Sequence, residues 1–142
     1  MPTFKRIAPI FPVRDLSLSL EHYRRLGFAT REYDSGYGFV TRGRIEIHLG
    51  VVSDNSKLSP SSAYLWVEDA DALAQTWSSV GGDVRFPEDT EWGQHEGVLT
   101  DPDGNIIRFG SPLEGETRTE SPAEIPRTQG GRTAGSRIYL TR

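Results

Sequence analysis

The chain has 142 residues, of which 35% are hydrophobic and 25% charged, and this length and composition predict one folded domain with a substantial core. It contains no cysteine, which excludes a disulfide framework and a cysteine metal cluster, and no apolar run long enough to span a membrane. Residues 1–113 hold 16 acidic and 11 basic residues, which gives them a net charge of −5, whereas the whole chain has a net charge of −4. This acidic body argues against nucleic acid as a partner and is compatible with a cationic small molecule. Because no signal-peptide pattern opens the chain, we expect a cytoplasmic protein with no membrane partner.

The first half of the chain predicts a strand, a helix and three further strands. Asp15 or Ser17 caps the helix, and Leu16, Leu20 and Tyr23 follow at the spacing that places them on one apolar face. The predicted strands are Ile7–Val13, Thr30–Asp34, Tyr37–Arg42 and Arg44–Val51.

The last of these strands alternates most clearly between apolar and polar residues. Its apolar face must pack against a helix, whereas its polar face must meet water or a ligand. One face carries Ile45, Ile47 and Leu49, and the other carries Glu46, His48 and Gly50.

The second half of the chain repeats this order after a polar linker, Ser53–Ser62. An acidic loop, Pro87 to Glu91, is expected to lead to Trp92. The apolar face of a helix that begins near Asp69 is expected to bury Ala70, Leu73, Ala74 and Trp77. The predicted strands are Ser62–Val67, Val84–Phe86, Glu96–Thr100 and Asn105–Gly110.

The two halves are related by a constant offset. Asp69 follows Asp15 by 54 residues, and Trp77 follows Tyr23 by the same interval. Self-similarity at a fixed offset indicates that one supersecondary unit is used twice. Two such units pack face to face or side by side, and the cleft between their sheets is a natural place for a ligand.

Several segments carry a family resemblance. They are APIFPVRDLSLSLEHYRRLGF (Ala8–Phe28), the strand IEIHLGVV, YLWVEDADALAQTW (Tyr64–Trp77) and EWGQHEGVLTDPDGNIIRFG (Glu91–Gly110). With these segments the chain resembles the vicinal-oxygen-chelate (glyoxalase) superfamily, and within it the bleomycin-resistance proteins. The resemblance implies an α+β fold of two βαβββ modules and an arm-exchanged homodimer with clefts at the interface.

The resemblance also implies a domain organisation. A glyoxalase/bleomycin-resistance-like domain is expected over residues 1–113, with modules at about 5–52 and 62–112. Residues 114–142 have no counterpart in the family and are rich in Thr, Ser, Pro, Gly and Arg, which predicts a flexible tail. Ile138-Tyr139-Leu140 interrupts that composition and either docks on a surface or has no role.

Individual residues take expected roles from the resemblance. Trp92 matches a loop tryptophan that stacks on the flat bithiazole tail of the drug, and Tyr37 matches an aromatic residue of the same sandwich. Glu91 and Gly93 flank Trp92 and are expected to contact the ligand. Pro9 matches a proline after which the first strand crosses to the partner subunit.

The sequence departs from the family pattern at His95-Glu96-Gly97, where the resistance proteins usually have Arg-Glu-Phe. Gly97 is therefore expected to change the shape of the ligand surface, and His95 is a candidate cleft residue. His22 lies on a helix among charged residues and is expected to be solvated.

Further cleft residues follow from strand alternation. Tyr64 and Trp66 alternate with core residues, so they either line a ligand or pack at a dimer contact. Arg108 is expected to pair with Glu46 across the cleft floor, with ligand contact as the other possibility. His48 shares its face with Glu46 and is a further candidate ligand contact.

A metalloenzyme is the main alternative, because glyoxalases and dioxygenases of this superfamily hold a metal at four strand positions. Those positions match Ala8, Glu46, Ser62 and Arg108, of which only Glu46 is expected to be able to bind a metal. A shifted site built on Glu46, His48 and a further group is conceivable. No nucleophile motif or phosphate loop occurs in the sequence.

We therefore expect a binding protein without a cofactor of its own, which sequesters a cationic glycopeptide antibiotic of the bleomycin type and confers resistance without chemistry. The drug can arrive as its metal complex, in which case the metal belongs to the drug. The alternatives are a metal-dependent lyase, thiol transferase or dioxygenase of the same superfamily, and a protein that sequesters another planar small molecule.

Overall fold

The computed structural model describes residues 1–113, and in them each half of the chain forms a four-stranded mixed sheet with one α-helix. The first half contains β1 (Ile10–Val13), α1 (Leu16–Arg25), β2 (Ala29–Asp34), β3 (Tyr37–Arg42) and β4 (Ile45–Val51). A short 3-10 turn, Asn55–Lys57, precedes the second half, which contains β5 (Ser62–Trp66), α2 (Ala70–Ser79), β6 (Asp83–Asp89), β7 (Gln94–Thr100) and β8 (Ile106–Pro112). The strand orders are β1-β4-β3-β2 and β5-β8-β7-β6, so the predicted α+β class is confirmed.

The two sheets have the same connectivity. The first strand of each pairs in parallel with the last, and the other neighbouring strands are antiparallel. In the described part of the chain, no helix is long and apolar enough to cross a bilayer. The tail predicted from residue 114 onward, including Ile138-Tyr139-Leu140, lies outside the described residues.

The helices begin at equivalent aspartates, in agreement with the repeat. The Asp15 carboxylate accepts a hydrogen bond from the Leu18 backbone N–H at 3.1 Å, and Asp69 accepts one from Ala72 at 3.0 Å. These caps satisfy backbone donors that the first turn of a helix leaves unpaired. The buried apolar stripes of the two helices contain Leu16, Leu20 and Tyr23, and Ala70, Ala74 and Trp77.

One hydrophobic core joins the two halves. Trp77 is buried, as predicted, with its ring 6.3 Å from Phe28 of the first half and 5.2 Å from Phe109 of the second. Its indole N–H donates to the Leu26 carbonyl at 3.0 Å, so the largest core side chain also has its polar atom satisfied. The side of each sheet that carries its helix therefore faces one hydrophobic core, to which both halves of the chain contribute.

The turn Asp101–Asn105 adds a polar junction between the halves. Asp101 Oδ1 accepts from the backbone N–H groups of Asp103 and Asn105, both at 2.9 Å, which closes the turn on itself. Asp101 Oδ2 accepts from the Tyr23 hydroxyl of α1 at 2.8 Å and from the Asn105 side-chain amide at 3.0 Å. Burial beside this carboxylate raises the pKa of Tyr23 far above its ordinary value.

The other two polar residues of the turn also bind the first half. Asp103 Oδ1 accepts from the backbone N–H of Arg14 at 3.0 Å and from its guanidinium at 2.9 Å, and Oδ2 accepts from Ser19 at 3.2 Å. The Asn105 amide donates to the Pro12 carbonyl at 2.9 Å. Because all three turn side chains are buried and bonded, the orientation of one half relative to the other is strongly determined.

Three local expectations are wrong. The first strand begins at Ile10 rather than Ile7, although the Pro9 carbonyl still accepts from His48 N–H at 2.9 Å. The strand expected to end at Phe86 continues to Asp89, because a register shift between Arg85 and Glu88 accommodates Pro87, which has no N–H to donate.

His22 is the third correction, since it is buried rather than solvated. Only 6% of its surface is exposed, its ring lies edge-on to Tyr23 at 4.9 Å, and its Nε2 atom is buried without a hydrogen-bond partner. Burial lowers the pKa of His22, because desolvation disfavours the charged imidazole.

Each sheet has one face turned away from its helix, and we call this the open face. On β4, Ile47 and Leu49 are buried on the helical side whereas Glu46 and His48 lie on the open face, as the alternation predicted. On β8, Phe109 faces the core and Arg108 the open face.

Removing the hydroxyl of Tyr23 tests the polar junction. We expect Tyr23→Phe to lower the free energy of unfolding by about 1.5–3 kcal/mol, because a buried hydrogen bond to a carboxylate is lost without a change in ring packing. Urea denaturation measures this difference. Tyr33→Phe is the matched control, since Tyr33 is 69% exposed, and equal effects of the two substitutions would contradict the junction.

Candidate ligand-binding site

The open face of the second sheet carries most of the aromatic candidates. Strand register places Tyr64 beside Arg108, and in the next row places Trp66, Gly110 and Glu96 side by side. The rings of Tyr64 and Trp66 lie 4.8 Å apart at an angle of 51°. A continuous aromatic and polar surface therefore runs across β5, β8 and β7.

Glu96 organises this surface. It is only 8% exposed, and its Oε1 atom accepts from the Tyr64 hydroxyl at 3.0 Å and from the Trp92 indole N–H at 3.2 Å. Tyr64 reaches Glu96 across β8 because Gly110 lies between them, where any Cβ would overlap the tyrosine hydroxyl. One carboxylate thus fixes two aromatic side chains from different parts of the sheet.

The loop between β6 and β7 presents Trp92. The Thr90 hydroxyl donates to the Gln94 carbonyl at 2.9 Å and accepts from the Gln94 N–H at 3.1 Å, which closes the loop. Gly93 adopts φ of +86°, a conformation that favours glycine. Trp92 is 52% exposed, so much of its flat indole surface faces solvent. The hydrogen bond from its ring N–H to Glu96 holds the ring in place. Glu91 is exposed beside it.

The open face of the first sheet carries a hydrogen-bonded chain. His48 Nε2 lies 2.5 Å from Glu46 Oε2, and His48 Nδ1 lies 2.8 Å from the Tyr37 hydroxyl. Hydrogen bonds from His48 and from Arg6 lower the pKa of Glu46, so the carboxylate is ionised and Nε2 of His48 is the donor. In the neutral imidazole Nδ1 then accepts from Tyr37.

A pocket of about 630 Å³ lies on this face, a size in the range of small-molecule sites. Arg6 and Glu46 line one part of it, and the guanidinium of Arg31 lies over the Phe39 ring at 4.3 Å from its centre. Donors, an acceptor and an aromatic ring therefore converge on the first sheet as well.

The predicted pair of Arg108 with Glu46 does not form within one chain. The two residues lie on different sheets, and Glu46 is paired with Arg6 and His48. Arg108 instead lies 3.7 Å from Glu96, measured from Nη1 to Oε2. Tyr37 and Trp92, expected to form one sandwich, are also apart within the chain, since Tyr37 lies on β3 of the first sheet and Trp92 in the β6–β7 loop of the second half. Tyr37 makes ring contacts with Phe39 and His48.

His95 and Gly97 lie on the helical side of β7 rather than in a cleft. His95 bridges Asp71 of α2 at 2.9 Å and Asp89 of β6 at 2.7 Å. A Cβ at Gly97 would lie 2.7 Å from the Phe109 ring and 2.9 Å from the Arg85 carbonyl. Gly97 therefore makes room for a core phenylalanine, and its departure from the family pattern does not alter the open face.

Four residues of these faces were not among the sequence candidates: Glu96, Arg6, Arg31 and Phe39. The sequence offers one signal for Glu96. It lies two residues before Val98 in a predicted strand, so the two side chains are expected on the same face of that strand. Its importance depends on the β7–β8 register, which no local pattern in the sequence specifies.

The positions that hold a metal in the enzymatic relatives do not fit one here. Ala8 and Arg108 offer no metal-binding atom, and Ser62 is a weak ligand. Within residues 1–113 no cluster of three or more His, Cys, Asp or Glu side chains is placed to hold an ion. The shifted site would use Glu46 and His48, which are bonded to each other.

Comparison with known proteins agrees with this architecture. A family profile described as Glyoxalase/Bleomycin resistance protein/Dioxygenase superfamily matches residues 4–109. The chain is 28% identical over 110 residues to a bleomycin resistance protein of Klebsiella pneumoniae, covering 71% of this chain and 87% of that protein.

Two solved structures extend the likeness. A bleomycin-binding protein complexed with bleomycin superposes with a TM-score of 0.66 at 26% identity, covering 76% of this chain and 98% of that one. The bleomycin-binding protein of bleomycin-producing Streptomyces verticillus, complexed with copper(II)-bleomycin, gives a TM-score of 0.68 at 25% identity, covering 82% and 100%. The fold is therefore that of the bleomycin-binding proteins.

The His95 bridge predicts a pH-dependent contribution to stability. The hydrogen bonds that His95 donates to Asp71 and Asp89 raise its pKa above the ordinary 6.5, so its contribution to stability is fully present below pH 6.5 and is lost as pH rises through the raised value. We expect His95→Gln to cost less than about 1 kcal/mol of unfolding free energy near pH 5.5, since both aspartates are exposed, and nothing from this source at alkaline pH.

The contribution of His22 to the free energy of unfolding is expected to change with pH in the opposite direction to that of His95. The same urea denaturation across pH measures it. The lowered pKa of His22 means that the unfolded state takes up the proton more readily, so His22 opposes folding as pH falls below 6.5. An identical pH dependence for His95→Gln and the unaltered protein would contradict the bridge.

Proposed function

The chain belongs to the Glyoxalase/Bleomycin resistance protein/Dioxygenase superfamily, and we propose that it binds and sequesters a bleomycin-type glycopeptide antibiotic. Support comes from the relatives, since the similar proteins of 25–28% identity are a bleomycin resistance protein and bleomycin-binding proteins. Resistance then follows from stoichiometric capture of the drug, which leaves it chemically unchanged.

The observation that carries the proposal is the pairing of Trp92 with Glu96. A half-exposed indole offers a flat surface for the bithiazole tail, and a buried carboxylate lies within 3.2 Å of its ring nitrogen. An aromatic surface beside a carboxylate favours a ligand that is both planar and cationic. Glu88, in register with Glu96, and Glu91 add negative charge at the same edge.

The drug cleft is proposed to form between two chains. In one chain Tyr37 and Trp92 lie on separate open faces, so a sandwich of both requires the first sheet of one subunit to face the second sheet of another. Exposed apolar side chains of the N-terminal segment, Phe4, Ile7 and Ile10, support an exchanged arm that includes Pro9. Tyr37 of one subunit would then contact the ligand from one side, and Trp92 with the acidic edge of the other subunit from the opposite side.

Substitution of Trp92 tests this proposal. We expect Trp92→Ala to weaken binding of metal-free bleomycin by about 2 kcal/mol, roughly 30-fold in Kd, because the stacking surface is lost. Trp92→Phe keeps a ring and should retain part of the affinity. Calorimetric titration of EDTA-treated protein measures both values and excludes a metal supplied by the protein.

The matched control is Leu18→Ala, which truncates an exposed apolar side chain on α1, away from both open faces. It should bind as the unaltered protein does, with one drug per subunit and a Kd below about 1 μM. An unchanged Kd for Trp92→Ala would rule out the stacking role, and no binding by the unaltered protein at millimolar drug would rule out the proposed function.

A further inference from the structure

Arg108 is the cation that accompanies Glu96 in the unliganded chain, and the pair is loose. The closest atoms, Nη1 and Oε2, are 3.7 Å apart, which is beyond a normal hydrogen bond. The two side chains also differ in burial, since Glu96 is 8% exposed and the Arg108 side chain 46%. Arg108 can therefore turn toward water at little cost, whereas Glu96 cannot.

The two oxygens of Glu96 have different roles. Oε1 accepts from Tyr64 and Trp92 and so fixes the aromatic surface. Oε2 is the oxygen that Arg108 approaches. A carboxylate with so little exposure needs a nearby positive charge, because a buried charge without a partner is costly. Arg108 supplies that charge, but without the short, well-aligned contact that a better-placed cation would make.

We propose that Arg108 is a resident counter-ion that a cationic group of the ligand displaces from Glu96, so that this pair selects planar ligands carrying a positive charge. The inference rests on the proposed function for its natural ligand. An ammonium or guanidinium group of the ligand that reaches Glu96 Oε2 at hydrogen-bond distance replaces the 3.7 Å contact of Arg108 with this oxygen. The released Arg108 side chain is then solvated by water. A neutral ligand cannot make this exchange and leaves Arg108 in place.

A displaced counter-ion and a direct ligand contact predict opposite changes in affinity when Arg108 is removed. If Arg108 competes with the ligand for Glu96, its removal strengthens binding of a cation; if Arg108 touches the ligand directly, its removal weakens binding. We expect Arg108→Gln to bind bleomycin about two- to fivefold more tightly, the range that corresponds to an exposed ion pair. Arg108→Lys retains the charge and should remain near the unaltered protein.

The controls separate this local exchange from overall charge. Arg24→Gln removes the same charge from α1, where Arg24 is paired with Glu21, and should leave the Kd unchanged. A bleomycin congener with an uncharged tail should gain nothing from Arg108→Gln. Glu96→Gln should reduce the preference for the charged drug over this congener, an effect that a purely structural role of the pair would not produce.

The same variants are titrated with benzamidine, a small planar cation, by following the indole N–H resonance of Trp92 in two-dimensional NMR. Tighter binding to Arg108→Gln than to the unaltered protein supports displacement, and equal or weaker binding overturns it. This titration decides the inference even if bleomycin fails to bind, a result that would contradict the proposed function alone. If bleomycin binds and Arg108→Gln weakens it, the function stands and the displacement is wrong.

Discussion

The buried turn Asp101–Asn105 is the constraint on which the rest of the structure depends. Its two carboxylates and one amide bind Arg14, Ser19, Tyr23 and the Pro12 carbonyl of the first half of the chain. Because these contacts accompany a shared core around Trp77, the helical sides of both sheets are occupied within one chain. The open faces are then the surfaces left for a ligand, and in the proposed complex each contributes part of the binding site. This geometry is the reason for proposing a cleft between two chains.

The two open faces differ in charge, and the difference suits an asymmetric ligand. The first face holds Arg6 and Arg31 around the Glu46–His48–Tyr37 chain, so it is rich in hydrogen-bond donors. The second face has a buried carboxylate, Glu96, beneath an exposed aromatic surface. In the proposed complex the cationic tail of the drug lies at the second face, and its uncharged acceptor groups meet the first. A glycine makes the second surface possible, since Gly110 allows Tyr64 to reach Glu96.

Much of the fold could be predicted because its signals are local. The sequence predicted both helices, with Asp15 as one of two candidate caps for the first and a start near Asp69 for the second, and strict alternation placed Glu46 and His48 opposite Ile47 and Leu49. The partner of Arg108 could not be predicted, because pairing depends on which sheet each strand joins. The side of β7 that His95 and Gly97 face also depends on the β7–β8 register, which no local pattern fixes. Burial of His22 follows from packing around Tyr23, which the polar neighbours of His22 in the sequence concealed.

The central claim is that two chains together capture two unmodified drug molecules in clefts built from both open faces. Native mass spectrometry of the full chain mixed with metal-free bleomycin measures this composition directly. The account predicts a complex of two chains and two drugs, from which denaturation releases drug of unaltered mass. A drug-free dimer, a single chain that holds the drug alone, or a released drug of changed mass would contradict it.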